Sequence, residues 1–218
     1  MIRVLIADDE PMIRSGIRTI LRTDDGIEIV AEASDGGEAV TLTETYRPDV
    51  ALLDIRMPVL DGLAAAGRIR ARAPETAVII LTTFGEDGYI VRALDSGAAG
   101  FLLKALDPHE LIAGVRAVAG GAACLSPAIA KRVIAQWRQT TPSRGYAARA
   151  RIQTLAPRER DVLALLGAGL SNAEIAARLH FVEGTVKSYV SVILTRLEVR
   201  NRVQAAVLAV EAGLVPSP

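Results

Sequence analysis

Residues 50–58 read "VALLDIRMP", an apolar run that ends in the carboxylate Asp54. Four apolar residues in succession, without alternation, are typical of a strand that is covered on both faces. Aspartate is common where strands end and turns begin, so Asp54 taken alone predicts only a turn. Whether it does more depends on where the other strands of the same sheet end.

Four further short apolar runs lie within residues 1–120, and each of the five is followed by a segment long enough for a helix. They read "IRVLIA", "IEIVAEA", "AVIILTT" and "GFLLK". Strands that alternate with helices of crossover length predict βαβ units and a parallel sheet. We therefore expect a five-stranded, parallel, doubly wound α/β domain, with its site outside the carboxyl ends of the strands.

Polar and charged side chains follow these strands where the sheet would present them together. They are Asp8 and Asp9 after the first strand, Asp54 at the third, Thr82 at the fourth and Lys104 at the fifth. Clustered carboxylates repel one another unless a cation holds them, and Mg²⁺ suits oxygen ligands. Lys104 can pair with Asp54 or with a phosphoryl oxygen. The set predicts phosphoryl transfer onto a carboxylate, with Asp54 as the nucleophile.

Residues 1–120 resemble the receiver domain of two-component response regulators. The likeness rests on "ADDE" after the first strand, "LLDIRMPVLDG" around the third, "LTT" after the fourth and "GAAGFLLK" at the fifth. It implies that Asp54 is the phosphorylated aspartate and that a sensor histidine kinase supplies the phosphoryl group. It also implies a Mg²⁺ site formed by Asp8, by Asp9 as the direct ligand, by Asp54 and by the backbone carbonyl of Arg56. The implied switch residues are Thr82, Phe101 and Lys104.

Two positions depart from that family pattern. Ala105 follows Lys104 where many receivers have proline, which puts the family's usual cis peptide in doubt. Phe101 replaces the frequent tyrosine, so a coupling through a phenolic hydroxyl is excluded.

Two rival hypotheses stay open. One is a metal-dependent phosphatase with an aspartyl-phosphate intermediate, and the other is a regulator of the same fold that works without phosphorylation. The phosphatases commonly carry a second aspartate two residues after the nucleophile, where this chain has Arg56. That difference argues against turnover of small substrates, and the complete acidic pocket argues against the second rival.

Charge and pattern both change in the second half of the chain. Residues 1–120 carry 12 Lys/Arg and 19 Asp/Glu, a balance of −7, whereas residues 121–218 carry 13 and 6, a balance of +7. A basic half is a candidate for nucleic-acid binding. Ser171 and Glu174 form a predicted capping box, and all the sequence patterns after residue 150 are helical. They predict a small all-α four-helix domain, in which "SNAEIAARL" and "EGTVKSYVSVIL" form a helix-turn-helix.

Residues 152–215 look like the NarL/LuxR-type DNA-binding domain, so the whole chain resembles a response regulator of the NarL/FixJ family. This resemblance implies double-stranded promoter DNA as the partner. By position, Lys187 would contact the groove, Thr185 the backbone, and Ser188 and Ser191 bases or phosphates. The last helix would serve as the contact of an activated homodimer through Val203, Val207 and Val210.

Four residues depart from this second pattern. Ala156 and Val182 stand where capping Thr and Ser are usual, and each loss should cost roughly 0.5–2 kcal/mol if nothing substitutes. Tyr189 replaces a common His, and Glu198 replaces a common Gly just past the recognition helix. We therefore expect a somewhat frayed domain with a nonstandard base preference.

The expected organisation is a receiver domain at 1–120, a linker containing a helix at 121–151 and a DNA-binding domain at 152–218. A single cysteine, Cys124, excludes an internal disulfide framework. We find no signal peptide and no apolar stretch that could span a bilayer, so we expect a cytoplasmic protein without a membrane partner.

Overall fold

The computed structural model describes residues 1–82, 96–104, 107–125 and 143–215. By their mutual contacts these residues form two units, one built on Met1–Ala119 and one on residues 143–215. Three parts of the sequence-based prediction lie outside the described residues. The first is residues 83–95, where a helix is expected between the fourth and fifth strands. The second is Ala105, and the third is residues 126–142 of the expected linker.

The first unit is a parallel sheet with the strand order β2-β1-β3-β4-β5-β6. Its strands are β1 Ile2–Ala7, β2 Ile27–Ala33, β3 Val50–Asp54, β4 Ala77–Thr82, β5 Gly100–Leu103 and β6 Cys124–Leu125. The described helices are α1 Pro11–Leu21, α2 Gly36–Tyr46, α3 Gly62–Arg72 and α4 Pro108–Ala119. The five-stranded parallel sheet is thus confirmed, and the short β6, which lies within the predicted linker, extends the sheet at the edge beside β5.

Helices cover the sheet because its strands are apolar on both faces. Val50 to Leu53 are all fully buried. Successive strand residues point to opposite faces, and one face packs on α1 and α4 through a cluster that includes Val4, Leu52, Ile17 and Val115. The strand order reverses between β1 and β3, so the crevice beyond their carboxyl ends is the place where such sheets bind ligands.

The second unit is all-helical. Its helices are α5 Ser143–Gln153, α6 Pro157–Gly167, α7 Asn172–Leu179, α8 Glu183–Arg196 and α9 Arg202–Glu211. The last four were predicted, and Pro157 occupies the first position of α6, where its missing N–H costs no helical hydrogen bond. Helix α5 packs into the same core through Ala148 and Ile152, so the predicted boundary at residue 152 falls within this helix.

The caps of this unit follow the sequence at two helices. Ser171 Oγ accepts a hydrogen bond from Glu174 N, and Glu174 Oε2 accepts one from Ser171 N, which confirms the predicted capping box. Asn201 Oδ1 accepts from Gln204 N in the same way at the start of α9. Each bond satisfies a backbone N–H that has no partner inside its own helix.

Candidate functional site

Asp54 is the last residue of β3 and is 5% exposed. Its Oδ2 accepts a hydrogen bond of 3.0 Å from Arg56 N. Burial raises the pKa of the Asp54 carboxyl above its usual 3.8, and the neighbouring Lys104 opposes that shift. Asp54 is therefore a buried carboxylate that needs positive charge nearby in order to stay ionised.

Lys104 supplies positive charge to two carboxylates at once. Its Nζ lies 3.0 Å from Asp54 Oδ1 and 2.6 Å from Asp8 Oδ2. Burial alone would lower the pKa of this ammonium, but the contacts with Asp8 and Asp54 outweigh it and raise the pKa. The ends of β1, β3 and β5 thus meet through one buried ammonium, as the strand-end pattern predicted.

The loop after β1 concentrates acidic groups. Asp8 is fully buried, whereas Asp9 and Glu10 are exposed, and one carboxylate oxygen from each of the three lies within 4.8 Å of the others. Glu10, which is not among the residues predicted for this site, joins the acidic group by this geometry. Asp54 is linked to Asp8 through Lys104.

The donor set can be tested against the predicted Mg²⁺. Asp8 Oδ2 is buried and lies 2.6 Å from Lys104 Nζ, so this ammonium is its partner. Asp8, Asp9 and Asp54 carry three negative charges against the single positive charge of Lys104. An excess of carboxylate oxygens around a partly buried pocket fits a hard divalent cation.

The turn after β3 is shaped by a glycine that the sequence analysis did not single out. A Cβ added at Gly62 would lie 1.9 Å from the main-chain oxygen of Asp54. Gly62 N also donates a 3.0 Å hydrogen bond to Ile55 O. Only glycine permits this close approach, so Gly62 fixes the path of the chain that leaves Asp54. The signal for it was the "LDG" that closes the quoted motif.

Thr82 and Phe101, the predicted switch residues, lie on neighbouring strands. Thr82 ends β4 and is 6% exposed, and its carbonyl accepts a 2.7 Å hydrogen bond from Lys104 N. Phe101 is buried in β5 and is paired in register with Ile80. The structure therefore brings Thr82 next to the backbone of Lys104 and places Phe101 inside the sheet, one strand away.

Helix α8 presents the predicted DNA contacts on one exposed face. Lys187, Ser188 and Ser191 are exposed, whereas Thr185 is partly buried. The hydroxyls of Ser188 and Ser191 donate to carbonyls one turn earlier in the helix, which leaves their oxygens facing outward as acceptors. Lys187 Nζ lies 3.2 Å from Glu183 Oε1, an exposed ion pair on the same helix.

The missing cap at Ala156 is partly replaced by an acid that the sequence analysis overlooked. Glu159 Oε2 accepts a 2.8 Å hydrogen bond from Ala156 N and also lies 2.8 Å from Arg196 Nη1 at the end of α8. Glu159 is 6% exposed and the side chain of Arg196 is 49% exposed, so this contact is partly buried. One half of a capping box therefore persists at α6, and the expected loss is reduced there.

Of the other three departures from the family pattern, those at Val182 and Glu198 carry a structural cost, and Tyr189 takes part in packing. Val182, the cap residue of α8, is 72% exposed and makes no side-chain cap hydrogen bond. Glu198 has a φ of 50°, in the left-handed region that favours glycine. Tyr189 stacks on Phe181 with ring centroids 5.6 Å apart. Tyr189 thus packs against the turn that precedes its own helix.

The three valines predicted as dimer contacts differ in exposure. Val203 is 4% exposed, Val207 is partly buried and Val210 is 59% exposed. Val203 is buried, so its side chain offers a partner almost no surface. The outer end of α9 around Val210 retains an apolar surface.

Two family models match this chain. The response regulator receiver domain matches residues 4–116, and the bacterial regulatory proteins of the luxR family match residues 153–209. The first covers the sheet with its acidic pocket, and the second covers the helices α6 to α9 with the exposed face of α8. Among the described residues, no helix has both the length and the apolar character to cross a membrane.

Relatives match along almost the whole chain. The transcriptional regulatory protein LnrK of Bacillus subtilis is 36% identical over 217 residues, which span 98% of this chain and 99% of the relative. The nitrate/nitrite response regulator protein NarL of Escherichia coli is 34% identical, covering 94% of this chain and 93% of its own. The crystal structure of response regulator ChrA from a heme-sensing two-component system is similar with a TM-score of 0.54 and 35% identity, over 98% of both chains.

Proposed function

The chain belongs to the LuxR-family response regulators of two-component systems, and on that premise we propose that Asp54 accepts a phosphoryl group from a sensor histidine kinase and thereby controls DNA binding. The observation that carries the proposal is the contact of one buried ammonium, Lys104, with both Asp54 and Asp8. An ammonium held at the nucleophile is placed to contact the incoming phosphoryl oxygens.

In the proposed reaction, an oxygen of Asp54 attacks the phosphorus of the kinase phosphohistidine. The phosphorus–oxygen bond to Asp54 forms as the phosphorus–nitrogen bond breaks, and the imidazole nitrogen keeps the electron pair. Lys104 neutralises charge on the transferred group, which requires its contact with Asp54 Oδ1 to be exchanged for a phosphoryl oxygen. Burial of Asp54 keeps competing water away from the nucleophile.

Asp8, Asp9, Asp54 and the backbone carbonyl of Arg56 are the residues proposed to hold Mg²⁺. When bound, Mg²⁺ would neutralise charge on the phosphoryl oxygens. Support comes from the excess of carboxylates over the single ammonium of Lys104 at this edge of the sheet. Glu10 lies close enough to Asp8 and Asp9 to add a further oxygen donor.

The switch is proposed to start at Thr82 and Lys104. A phosphoryl group on Asp54 offers new acceptors to the Thr82 hydroxyl and to the Lys104 ammonium, and these groups lie on adjoining strand ends. Contacts that exist only in the phosphorylated state shift the population between two conformations. Phe101, buried beside them, would repack with that shift.

The helix α8 is proposed to enter the major groove of promoter DNA. Lys187 would exchange its exposed pair with Glu183 for a phosphate or a guanine edge, and Ser188 and Ser191 would accept hydrogen bonds from base-edge amino groups or rotate to donate them to phosphates. Thr185 would contact the backbone. An activated homodimer would read two half-sites, with the surface around Val207 and Val210 as the proposed contact.

Within this proposal the chain acts in the cytoplasm, with a receiver at 1–120, a linker at 121–151 and a DNA-binding domain at 152–218. Genome-wide footprinting of the full chain, with and without phosphoramidate and Mg²⁺, tests it. We expect protected two-half-site operators that strengthen on phosphorylation and a loss of that response in Asp54→Asn. Asp61→Asn is the matched control, since Asp61 is exposed and asparagine keeps its helix cap. An unchanged response in Asp54→Asn would refute the proposal.

The phosphatase hypothesis predicts a different result in a separate assay. A phosphatase would hydrolyse a generic phosphomonoester repeatedly, whereas a phosphoacceptor regulator would be labelled once by a small phosphodonor. Arg56 directs its N–H to Asp54 Oδ2 and its side chain cannot serve as a carboxylic acid. We therefore expect labelling without turnover.

A further inference from the structure

We propose that Arg14 is a positioning residue for the acidic loop, holding the Asp8–Asp9 peptide in the orientation that metal binding needs. Arg14 Nη1 donates a 2.6 Å hydrogen bond to the main-chain oxygen of Asp8. This inference rests on the proposed function, because it concerns the carboxylates that the receiver site would use.

The bonded oxygen lies in the peptide unit that joins the two key acids. Because a peptide unit is planar, fixing its carbonyl relative to the anchored Asp8 fixes ψ of Asp8 and with it the position of the Asp9 nitrogen and Cα. The side chain of Asp9 starts from that Cα, so its position depends on this peptide unit. Asp9 is exposed and Asp8 is buried, so Asp9 depends on the backbone for its position much more than Asp8 does.

The remaining polar atoms of Asp8 are held from other sides. Asp8 N donates to Ala33 O at 3.2 Å, Asp8 Oδ1 accepts from Glu10 N at 3.0 Å, and Asp8 Oδ2 contacts Lys104. The carbonyl held by Arg14 is the point at which the chain leaves this anchored residue and turns toward Asp9.

Arg14 is itself anchored by the end of β2. Its Nε lies 3.8 Å from Glu32 Oε2, while Arg18 Nη1 lies 2.8 Å from Glu32 Oε1. The side chain of Arg14 is 19% exposed and that of Arg18 is 37% exposed. Arg18 lies on the same helix as Arg14 and contacts the same carboxylate, but its described contacts are with Glu32 and Ser15 rather than with the loop. It is therefore the matched control.

A positioning role and simple electrostatics predict opposite effects of removing Arg14 on the affinity for Mg²⁺. A guanidinium near a cation site repels the cation, so electrostatics alone predicts that Arg14→Met binds Mg²⁺ more tightly. Positioning predicts weaker binding, because a loop that is free to turn must be ordered again by the metal.

The test is calorimetric titration of Mg²⁺ into the full chain without any phosphodonor. We expect Arg14→Met to weaken binding about 10-fold, the lower end of the range for residues that orient metal ligands, and Arg18→Met to stay within about twofold. Arg14→Lys, which keeps the charge but loses the planar fork, should fall between Arg14→Met and the unaltered chain. Equal or tighter binding in Arg14→Met, or the same loss in Arg18→Met, would overturn the proposal.

A second readout needs no metal and separates this inference from the function. Amide hydrogen exchange at Glu10 reports the bond to Asp8 Oδ1, and we expect it to accelerate in metal-free Arg14→Met and not in Arg18→Met. Unchanged exchange at Glu10 would count against the inference. Labelling of Asp54 in the unaltered chain tests the function separately, so either idea can fail alone.

Discussion

Glu159 is expected to hold the second unit together at a point where the sequence lacks a cap, and its replacement should be costly. Its Oε2 serves both Ala156 N and Arg196 Nη1, each at 2.8 Å. Ala156 has no side-chain oxygen to take over the bond. Glu159→Ala and Glu159→Gln should therefore both destabilise this unit, and the alanine variant should do so more strongly.

The magnitude follows from the surroundings of each partner. The backbone N–H of Ala156 loses a hydrogen bond worth about 1 kcal/mol. The side chain of Arg196 is 49% exposed, so its ion pair is screened by solvent, and we assign it about 0.5–1 kcal/mol. Loss of a buried methylene adds about 0.8 kcal/mol. The sum is about 2–3 kcal/mol for Glu159→Ala, and about 1 kcal/mol for Glu159→Gln, which keeps a neutral acceptor.

Native-state hydrogen exchange of the full chain measures this loss where it occurs. The buried amides of Leu163 and Ile193 report the second unit, and that of Leu52 reports the first. Glu174→Gln is the control, because its capping box keeps the Ser171 hydroxyl. A change below about 0.5 kcal/mol at Leu163 in Glu159→Ala, or an equal change at Leu52, would refute the reasoning.

Three further predictions concern other positions. Gly62→Ala should abolish labelling by a small phosphodonor and lower the melting temperature of the first unit, because its Cβ meets the main chain at 1.9 Å, whereas Gly67→Ala, with nothing within 4 Å, should do neither. Glu198→Gly should raise the melting temperature of the second unit through a gain of about 1 kcal/mol, since it removes an L residue from the left-handed region; a fall would contradict this. Arg116 holds the pKa of Asp24 below 3.8 through a two-point contact, so Asp24 stabilises the first unit above that pH and the effect fades as the pH falls through its folded pKa. Arg116→Ala should return the pKa of Asp24, titrated by NMR, toward 3.8, and an unmoved pKa would rule out that cause.

The positions of Asp8, Asp54 and Lys104 were predictable because they depend on pattern and topology alone. Apolar runs of strand length identify β1, β3 and β5, and a parallel sheet brings their carboxyl ends to one edge. The predicted convergence needed no knowledge of side-chain packing. The caps at Ser171 and Asn201 also required no knowledge of packing, because donor and acceptor lie within one turn of the chain.

Features that depend on contacts between residues far apart in the sequence could not be predicted from it. Glu159 reads as an ordinary surface acid of a first helical turn until Arg196 and its burial are seen. Arg14 reads as a solvated helix residue until its bond to the Asp8 carbonyl is seen. The exposure of Val203 and Val210 depends on how α9 packs on its neighbours, and helical periodicity does not resolve that.

Asp54 is the proposed acceptor of the phosphoryl group, and its modification can be detected directly. Incubation of the full chain with phosphoramidate and Mg²⁺, followed by borohydride reduction and peptide mass spectrometry, converts a phosphorylated aspartate into homoserine and identifies its position. Homoserine is expected at position 54 in the treated chain, and aspartate is expected there in the chain incubated without the phosphodonor. Homoserine at another aspartate with position 54 unmodified would contradict it.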